Sequence, residues 1–255
     1  MSATGQDKVK EGFGPLLPSF RNVPFNEIDA LKESIDDEVA AIMLEVIQGE
    51  GGVHVIDPEF AKEIQAICDE KGILLIVDEV QTGISRTGSR YAFEQTSLKP
   101  NIVTLAKGLG NGFPIGCMLG SGELFDSFGP GTHGTTFGGN PLAVSVAQTV
   151  VDIAFDPSFQ QEVNEKSDYL LSLLEPLLAI DGVQVIRGKG FLLGIECSED
   201  VAPLIKQAEK SGLLLVPAGP KVIRLLPPLT VSKEELDQAV FIIKELLLST
   251  VAIDS

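Results

Sequence analysis

Cysteine is scarce in this chain, and its few thiols lie far apart. The 255 residues contain three cysteines, at Cys68, Cys117 and Cys197. No CxxC pair and no cluster of cysteine with histidine occurs, so the sequence predicts neither a disulfide framework nor a zinc site. Scattered reduced thiols are typical of cytoplasmic proteins, and we expect that location and no bound metal.

Long apolar segments are also lacking. No apolar run reaches the length of about 18 residues that a membrane-spanning helix needs. The N-terminal segment MSATGQDKVKEGFGPLLPSF has no apolar core of the signal-peptide kind. We therefore expect no membrane partner and no secretory leader.

Positive charge is outnumbered by negative charge. The chain has 19 Lys and Arg residues against 36 Asp and Glu residues, a formal net charge of −17. So acidic a surface disfavours nucleic acids and anionic membranes as partners. Apolar residues make up 44% of the chain, and this balance is typical of a globular protein rather than a disordered one.

What the chain does contain is an alternation of apolar strands and helical segments. The first 25 residues read as an irregular arm, and Asn26 is predicted to cap a short helix. The run Val39–Ile47 predicts a buried strand, and Asp57 followed by proline predicts a helix that ends at Gly72. Further strands complete a predicted parallel sheet that helices cover on both faces, with the segments ILLIVDEV, NIVTLA and IGCMLG.

The pattern changes in the C-terminal part of the chain. Two successive helical segments follow Asn140, and beyond Gly182 short strands alternate with two further helices. This second part is predicted to be a smaller α+β unit. We place the boundary at residue 150, which gives one domain over residues 1–150 and another over residues 151–255.

The segment LLIVDEVQTG, residues 74–83, ends a buried strand in two acidic residues, Asp78 and Glu79. Ligands of open α/β sheets bind at the carboxyl ends of the strands. Three interpretations are open: a carboxylate that caps the next turn, an ATPase aspartate that holds Mg²⁺, and an aspartate that pairs with a protonated pyridine nitrogen. The ATPase interpretation needs a GxxxxGK(S/T) loop, which the sequence lacks.

Lys107 follows the short apolar strand NIVTLA and precedes a glycine-rich turn, GLGNG. A lysine just past a buried strand is unfavourable unless it finds a partner or loses its charge, and a Schiff base removes that charge problem. The glycines allow the backbone to turn tightly next to a bulky ring. A solvent-exposed lysine at a strand end is the alternative interpretation.

A glycine-rich loop, GTHGTTFGGNPLA, places Thr135 and Thr136 just before a helix. Hydroxyl groups and backbone N–H groups are what a bound phosphate requires. His133 in the same loop is isolated from other ligand types, so we expect it to form hydrogen bonds rather than to bind a metal.

Arg224 lies inside an apolar strand and therefore needs a carboxylate partner, from the protein or from a ligand. Glu50, in the segment QGEGG, is the candidate partner within the chain. A permanent salt bridge and a pair that opens for a ligand both fit the sequence.

In this order, the segments resemble the class III aminotransferases of pyridoxal-phosphate fold type I. They run from about residue 40 to the C-terminus: EVIQGEGGV, LLIVDEVQTGISRTG, IVTLAKGLGNGFPIG, GTHGTTFGGNPLA, RGKGFLLGIE and VIRLLPPLT. The form HGTTFGGN is similar to the acetylornithine branch. The resemblance implies an α/β fold with a large domain, built on a mostly parallel sheet and lacking its N-terminal part here, and a smaller C-terminal α+β domain.

The resemblance also implies roles for individual residues. Lys107 would carry pyridoxal 5'-phosphate as a Schiff base and act as general acid and base. Cofactor contacts are implied for Asp78 at the pyridine nitrogen, Glu79 and Val80 next to it, Gln81 at the phenolic oxygen and Thr136 at the phosphate of the neighbouring subunit. Substrate contacts are implied for Thr135, for Arg224 at the α-carboxylate, and for Glu50, which would pair with Arg224 and release it when the substrate changes.

The implied reaction moves the amino group of N-acetylornithine, or of a related ω-amino substrate such as ornithine, to 2-oxoglutarate and gives glutamate, as in arginine biosynthesis. Each site of the family is built from two subunits, so a homodimer is implied. A racemase or aminomutase of the same fold would keep Lys107 and Asp78 but would make no glutamate.

The sequence departs from the family at its N-terminal side. We find no phosphate-gripping loop at a helix N-terminus and no ring-stacking aromatic residue followed by His-Gly-Arg. Lost phosphate contacts and an unpaired sheet edge predict that this chain is poorly stable or inactive by itself. The alternative is a non-catalytic fragment or partner subunit of a complete enzyme, although the retained Lys107, Asp78 and Gln81 favour the enzyme.

Overall fold

The computed structural model describes residues 1–251, and helices and strands alternate along them. The helices are α1 (Asp7–Lys10), α2 (Ile28–Ser34), α3 (Pro58–Lys71), α4 (Pro141–Ala154), α5 (Pro157–Leu174), α6 (Ala202–Lys210) and α7 (Lys233–Val251). The strands are β1 (Ala41–Leu44), β2 (Ile47–Gln48), β3 (His54–Val55), β4 (Leu74–Asp78), β5 (Ile102–Leu105), β6 (Cys117–Gly120), β7 (Val183–Lys189), β8 (Leu192–Cys197), β9 (Val216–Pro217) and β10 (Val222–Leu225).

The first sheet has the strand order β1-β4-β5-β6. The pairs β1–β4 and β4–β5 are parallel, as predicted, but β6 runs antiparallel to β5. A parallel neighbour needs a crossover connection of about a dozen residues or more, usually a helix. Between β5 and β6 the chain forms only a short 3-10 turn, Lys107–Leu109, and a loop, so it reverses direction.

The two faces of this sheet differ in their cover. One face carries Leu75 and Val77, which belong to a hydrophobic core with α3. Met43 and Met118 lie on the other face and are 48% and 44% exposed. Cover on both faces, as the apolar strands predict, is therefore wrong for the described residues.

The helix α3 begins and ends as the sequence predicts. The Asp57 side chain accepts hydrogen bonds from the backbone N–H groups of Glu59 and Phe60, which would otherwise lack partners. Gly72 ends the helix in the left-handed conformation at φ 65°.

Two local predictions near the N-terminus are wrong. The arm contains one short helix, α1, instead of being entirely irregular. Asn26 does not cap α2, whose N-cap is Glu27 without a side-chain hydrogen bond. The Asn26 amide instead donates to the carbonyl oxygen of Val55 at 3.0 Å and accepts from the N–H of Asp57 at 2.9 Å.

The predicted strand Val39–Ile47 is also interrupted. Only Ala41–Leu44 pairs with the first sheet, whereas Ile47–Gln48 pairs antiparallel with His54–Val55. Glu45 and Val46 lie between the two strands. The chain therefore leaves the sheet directly before an acidic residue.

The second sheet has the order β7-β8-β10-β9, and its described pairs are antiparallel. Its core includes buried side chains from β8, β10 and the helices α5 and α7, among them Leu174, Ile195, Ile223 and Ile243. Arg86 links this part to the first sheet because its Nη1 donates to the carbonyl oxygens of Phe191 and Pro227. Burial lowers the pKa of Arg86 to about 10. The boundary at residue 150, inside α4, stays a prediction.

Within residues 1–251, no single helix has the length and apolar character to span a membrane. One bent pair passes that test together, α4 with the segment Pro157–Ala179, at an angle of 68°.

Candidate functional site

Three candidate side chains lie where neighbouring parallel strands end. Asp78 is the last residue of β4, Glu45 follows β1 directly, and Lys107 follows β5 after one intervening residue. Leu44 and Val77 are paired, so the next residues, Glu45 and Asp78, lie next to each other at the edge. Carboxyl ends of parallel strands are where open α/β sheets bind ligands.

Lys107 is exposed and adopts a strained backbone conformation. Its φ of 36° lies in the left-handed region, which costs a residue other than glycine roughly 1–2 kcal/mol. Such strain concentrates at functional positions. An open cavity of about 450 Å³ adjoins the lysine and is lined by Lys107, Gly108, Asn111, Gly112, Phe113, Pro114 and Ile115.

Asp78 keeps one carboxylate oxygen without a partner. Its Oδ1 accepts from the N–H of Val80 at 2.9 Å, and no residue among 1–251 donates to its Oδ2. Thr104 is paired with Asp78 in the sheet, and its buried hydroxyl has no partner among the described residues. Buried polar atoms are normally hydrogen-bonded, so the unpaired Thr104 hydroxyl, on the same face of the sheet as the Asp78 carboxylate, is a candidate contact for a ligand.

Glu79 and Val80 face different surroundings from Asp78. The Glu79 carboxylate is 1% exposed and accepts from the Thr82 hydroxyl at 2.5 Å and from the N–H of Phe93 at 2.8 Å. Burial raises the pKa of Glu79. Both residues therefore hold the turn after β4, Glu79 through its side chain and Val80 through its N–H group to Asp78.

Arg224 is buried, with an exposed fraction of 4%, and lies at the centre of a cluster of polar groups. Its Nη1 donates to Glu50 Oε1 at 2.7 Å, to the Gly49 carbonyl oxygen at 2.8 Å and to Gln81 Oε1 at 3.1 Å. Its Nη2 donates to Glu50 Oε2 at 3.2 Å, and its buried Nε has no partner among residues 1–251. The pairing with Glu50 that the sequence predicts is present in the structure.

Gln81 connects this cluster to the end of β4. Its Nε2 donates to Glu50 Oε1 at 3.3 Å while its Oε1 accepts from Arg224. A Cβ atom added to Gly49 would lie 2.5 Å from Gln81 Oε1, so any side chain at this position would require Gln81 to move. The segment QGEGG thus folds tightly onto Gln81 and Arg224.

The threonine loop forms no hydrogen bond with the Arg224 cluster among the described residues. Thr135 and Thr136 are exposed, and Thr135 Oγ1 accepts from the N–H of Gly138 at 3.2 Å. The loop borders a second open cavity of about 380 Å³, which shares the wall Phe113–Ile115 with the Lys107 cavity. Asn140 begins α4 and accepts from the N–H of Ala143 at 3.0 Å. No group of metal-ligating side chains occurs within residues 1–251.

Two residues of this region escape the sequence analysis, Glu45 and Thr104. Burial raises the pKa of Glu45; the carboxylate of Asp78 raises it further, whereas the charge of Lys107 lowers it. The charge of Lys107 also contributes to lowering the pKa of Glu50. Lys107 therefore lies within electrostatic reach of both glutamates. A lone acidic residue in an otherwise apolar run was the available signal for Glu45.

Residues 1–247 match the model of the family described as aminotransferase class-III. The chain belongs to the class-III aminotransferases.

Two bacterial relatives are more specific in name. The acetylornithine aminotransferase of Bacillus cereus is 57% identical over 248 residues, which cover 97% of this chain and 64% of that protein. The acetylornithine aminotransferase of Halalkalibacterium halodurans is 59% identical and is covered to 65%. The chain thus spans slightly less than two thirds of the length of these curated relatives.

Solved structures of the family share the fold. The ornithine aminotransferase of Toxoplasma gondii superposes with a TM-score of 0.90 at 34% identity, over 97% of this chain and 60% of that one, and its description places pyridoxal phosphate at partial occupancy in its active site. The acetylornithine aminotransferase of Elizabethkingia anophelis superposes with a TM-score of 0.84 at 36% identity, over 94% and 62%. The fold is therefore that of the pyridoxal-phosphate-dependent aminotransferases, as the resemblance implies.

Proposed function

We propose that this site serves a pyridoxal-phosphate-dependent transamination, which moves the amino group of N-acetylornithine to 2-oxoglutarate. The observation that carries the proposal is the arrangement of three groups: the exposed Lys107 and the Asp78 carboxylate follow neighbouring strands at one sheet edge, and Gln81 connects that edge to the buried Arg224. Relatives at 57% and 59% identity are named acetylornithine aminotransferases, which favours that donor over ornithine.

The residues present fit pyridoxal 5'-phosphate. Asp78 offers Oδ2 to a protonated pyridine nitrogen, and Thr104 offers an unpaired hydroxyl on the same face. Glu79 and Val80 support Asp78 through the turn, while Gln81 has an amide for the phenolic oxygen. When bound, the cofactor supplies an electron-withdrawing ring that takes up negative charge as a C–H bond of the substrate breaks.

Lys107 supplies both the covalent attachment and the proton transfer. Its amine is accessible from solvent and lines an open cavity, so Lys107 would be able to hold the cofactor covalently. As a free amine, its Nζ would take up a proton from the substrate carbon as general base and give it back as general acid. An amine held at the edge of the sheet needs little movement for either step.

Arg224 and Glu50 supply carboxylate recognition. The guanidinium group binds the α-carboxylate of a substrate in a two-point arrangement, which matches its planar fork. Glu50 neutralises Arg224 in the absence of that carboxylate and withdraws when it arrives. Gln81 keeps both groups aligned because it contacts each of them.

The threonine loop supports a homodimer with shared sites. Thr135 and Thr136 are exposed, and no hydrogen bond joins either side chain to Lys107 or Arg224 within residues 1–251. Thr136 would reach the phosphate bound by the neighbouring subunit, and Thr135 would lie next to the substrate there.

Glutamate formation tests the proposal. The chain is supplied with pyridoxal phosphate, N-acetylornithine and 2-oxoglutarate, and compared with Lys107→Ala and with Lys206→Ala, an exposed lysine of α6. We expect Lys107→Ala to lose activity by about 100-fold or more and Lys206→Ala to keep it. Such turnover would also overturn the expectation that the chain is inactive alone, and glutamate that does not depend on Lys107 would contradict the proposed site.

A second candidate function is a non-catalytic partner subunit of a complete aminotransferase. Three aromatic side chains around the threonine loop favour it: Phe125, Phe128 and Phe137 are 71%, 51% and 81% exposed. Exposed aromatic clusters are typical of protein interfaces. Sedimentation of the chain with a full-length acetylornithine aminotransferase tests this candidate; a mixed complex without glutamate formation by the chain alone would favour it.

A further inference from the structure

Glu45 occupies a position equivalent to Asp78 on the neighbouring strand. The pairing of β1 with β4 puts Met43 opposite Ile76 and Leu44 opposite Val77. Glu45 directly follows β1 and Asp78 ends β4, so the two acidic residues lie next to each other at the sheet edge, and the charge of Asp78 acts on Glu45. Glu45 is thus an acidic residue at the carboxyl ends of the parallel strands, and the proposed reaction assigns it no role.

The Glu45 side chain closes a turn that holds Arg224. Its Oε2 accepts from the N–H of Gly49 at 3.2 Å. The carbonyl oxygen of the same Gly49 accepts from Arg224 Nη1 at 2.8 Å. Both polar groups of Gly49 therefore have partners, and a Cβ atom added to Gly49 would clash with the Gln81 side chain. A substitution of Glu45 would therefore affect Arg224 through Gly49, which is hydrogen-bonded to both side chains.

The surroundings of Glu45 raise the pKa of its carboxyl group. Burial is the main cause of its raised pKa, and Asp78 and Glu50 act in the same direction. The N–H of Gly49 and the charge of Lys107 oppose them but do not reverse the direction. A protonated carboxyl group still accepts a hydrogen bond at one oxygen, as a glutamine amide does.

We propose that Glu45 is a positioning residue of this site, which fixes the Gly49–Glu50 turn against Arg224 and thereby sets the affinity for a substrate carboxylate. The predicted effect on substrate affinity rests on the proposed transamination. The hydrogen bond between Glu45 and Gly49, in contrast, forms without a cofactor. Glutamine reproduces the acceptor without the charge and should replace glutamate with little loss. Alanine removes the acceptor, and aspartate is one methylene too short to reach Gly49.

Amide hydrogen exchange of Gly49 tests whether Glu45 fixes the Gly49–Glu50 turn in the cofactor-free chain. We expect exchange about tenfold faster in Glu45→Ala, because a hydrogen bond of ordinary strength is lost, and unchanged in Glu45→Gln. Glu70→Ala, an exposed glutamate of α3, is the matched control. Should the alanine variant fail to fold, Glu45→Asp gives the same comparison. Unchanged exchange in the folded alanine or aspartate variant would overturn the inference.

Binding of 2-oxoglutarate to the cofactor-loaded chain, measured by calorimetry, tests the consequence for Arg224. We expect about tenfold weaker binding in Glu45→Ala and recovery in Glu45→Gln, which a general loss of stability would not produce. Equal affinity in all three proteins would overturn the inference. Absence of a Lys107-dependent visible absorbance in the parent would instead contradict the proposed function, and the exchange experiment would still decide the role of Glu45.

Discussion

Arg224 and Glu50 form a two-point ion pair whose members differ greatly in exposure. The two hydrogen bonds measure 2.7 and 3.2 Å, and the side chains are 4% and 55% exposed. The arginine is therefore fixed inside the protein, while the glutamate can turn into water with little loss of hydration. This asymmetry suits an arginine that exchanges its partner carboxylate for one from a substrate.

Replacement of Glu50 by glutamine should change how stability depends on pH. The hydrogen bond from Arg224 lowers the pKa of Glu50 below its usual 4.5, so the ionised pair stabilises the fold above that pH and the stabilisation is lost as the pH falls through the folded pKa. We expect Glu50→Gln to lose about 1 kcal/mol at neutral pH, reduced by solvent screening, and to converge with the parent in acid.

Urea unfolding of the two proteins at about pH 7 and about pH 3 measures this difference. Glu70→Gln serves as the control because Glu70 is exposed on α3. A constant difference between Glu50→Gln and the parent at both pH values would show that the ion pair does not contribute to the pH dependence.

Gly49→Ala should be markedly less stable than Gly51→Ala. The added Cβ of the first variant would lie 2.5 Å from Gln81 Oε1, whereas that of the second would lie 3.5 Å from Gln48 Oε1, an ordinary contact. We expect a loss of about 1–3 kcal/mol for the first and a change within about 0.5 kcal/mol for the second. Thermal unfolding compares them, and equal stability would mean that Gln81 moves aside freely.

Backbone strain at Lys107 predicts that glycine is a more stable replacement than alanine at this position. Because φ is 36°, Lys107→Gly should be about 1 kcal/mol more stable than Lys107→Ala, as glycine accepts the left-handed backbone. At Lys206, inside α6, the order should reverse, since glycine costs a helix about 1 kcal/mol relative to alanine. Denaturant unfolding of the four variants without cofactor measures both differences; the same order at both sites would rule out strain at Lys107.

The three thiols should react at different rates. Burial raises the pKa of Cys68 and Cys197 to about 11, so their reactive thiolate form is rare at neutral pH. Cys117 is only half-buried. We expect iodoacetamide to label Cys117 first, as peptide mass spectrometry would show. Faster labelling of Cys68 would indicate that α3 opens readily.

The parts of the fold that the sequence predicts best are those with local causes. Asp57 and Gly72 bound α3 because their partners lie within a turn of the helix. Asn26 has the same capping chemistry, but its partners are Val55 and Asp57, which come close only in the folded chain. The local pattern therefore identifies the right side-chain chemistry and the wrong element.

The candidate site shows the same limit. The pairing of Arg224 with Glu50 follows from the need of a buried cation for a carboxylate, and it is present across the two parts of the chain. The significance of Glu45 depends on the register of β1 with β4, which the apolar run around it conceals. The antiparallel direction of β6 likewise depends on how short its connection is.

We infer that this chain builds a pyridoxal-phosphate site around Lys107. A titration of the purified chain with pyridoxal phosphate, followed by visible absorption, tests it most directly, with Lys107→Ala and Lys206→Ala measured in parallel. We expect a new visible band that saturates in the parent and in Lys206→Ala and is absent in Lys107→Ala. A band of equal strength in Lys107→Ala, or no band in the parent, would contradict it.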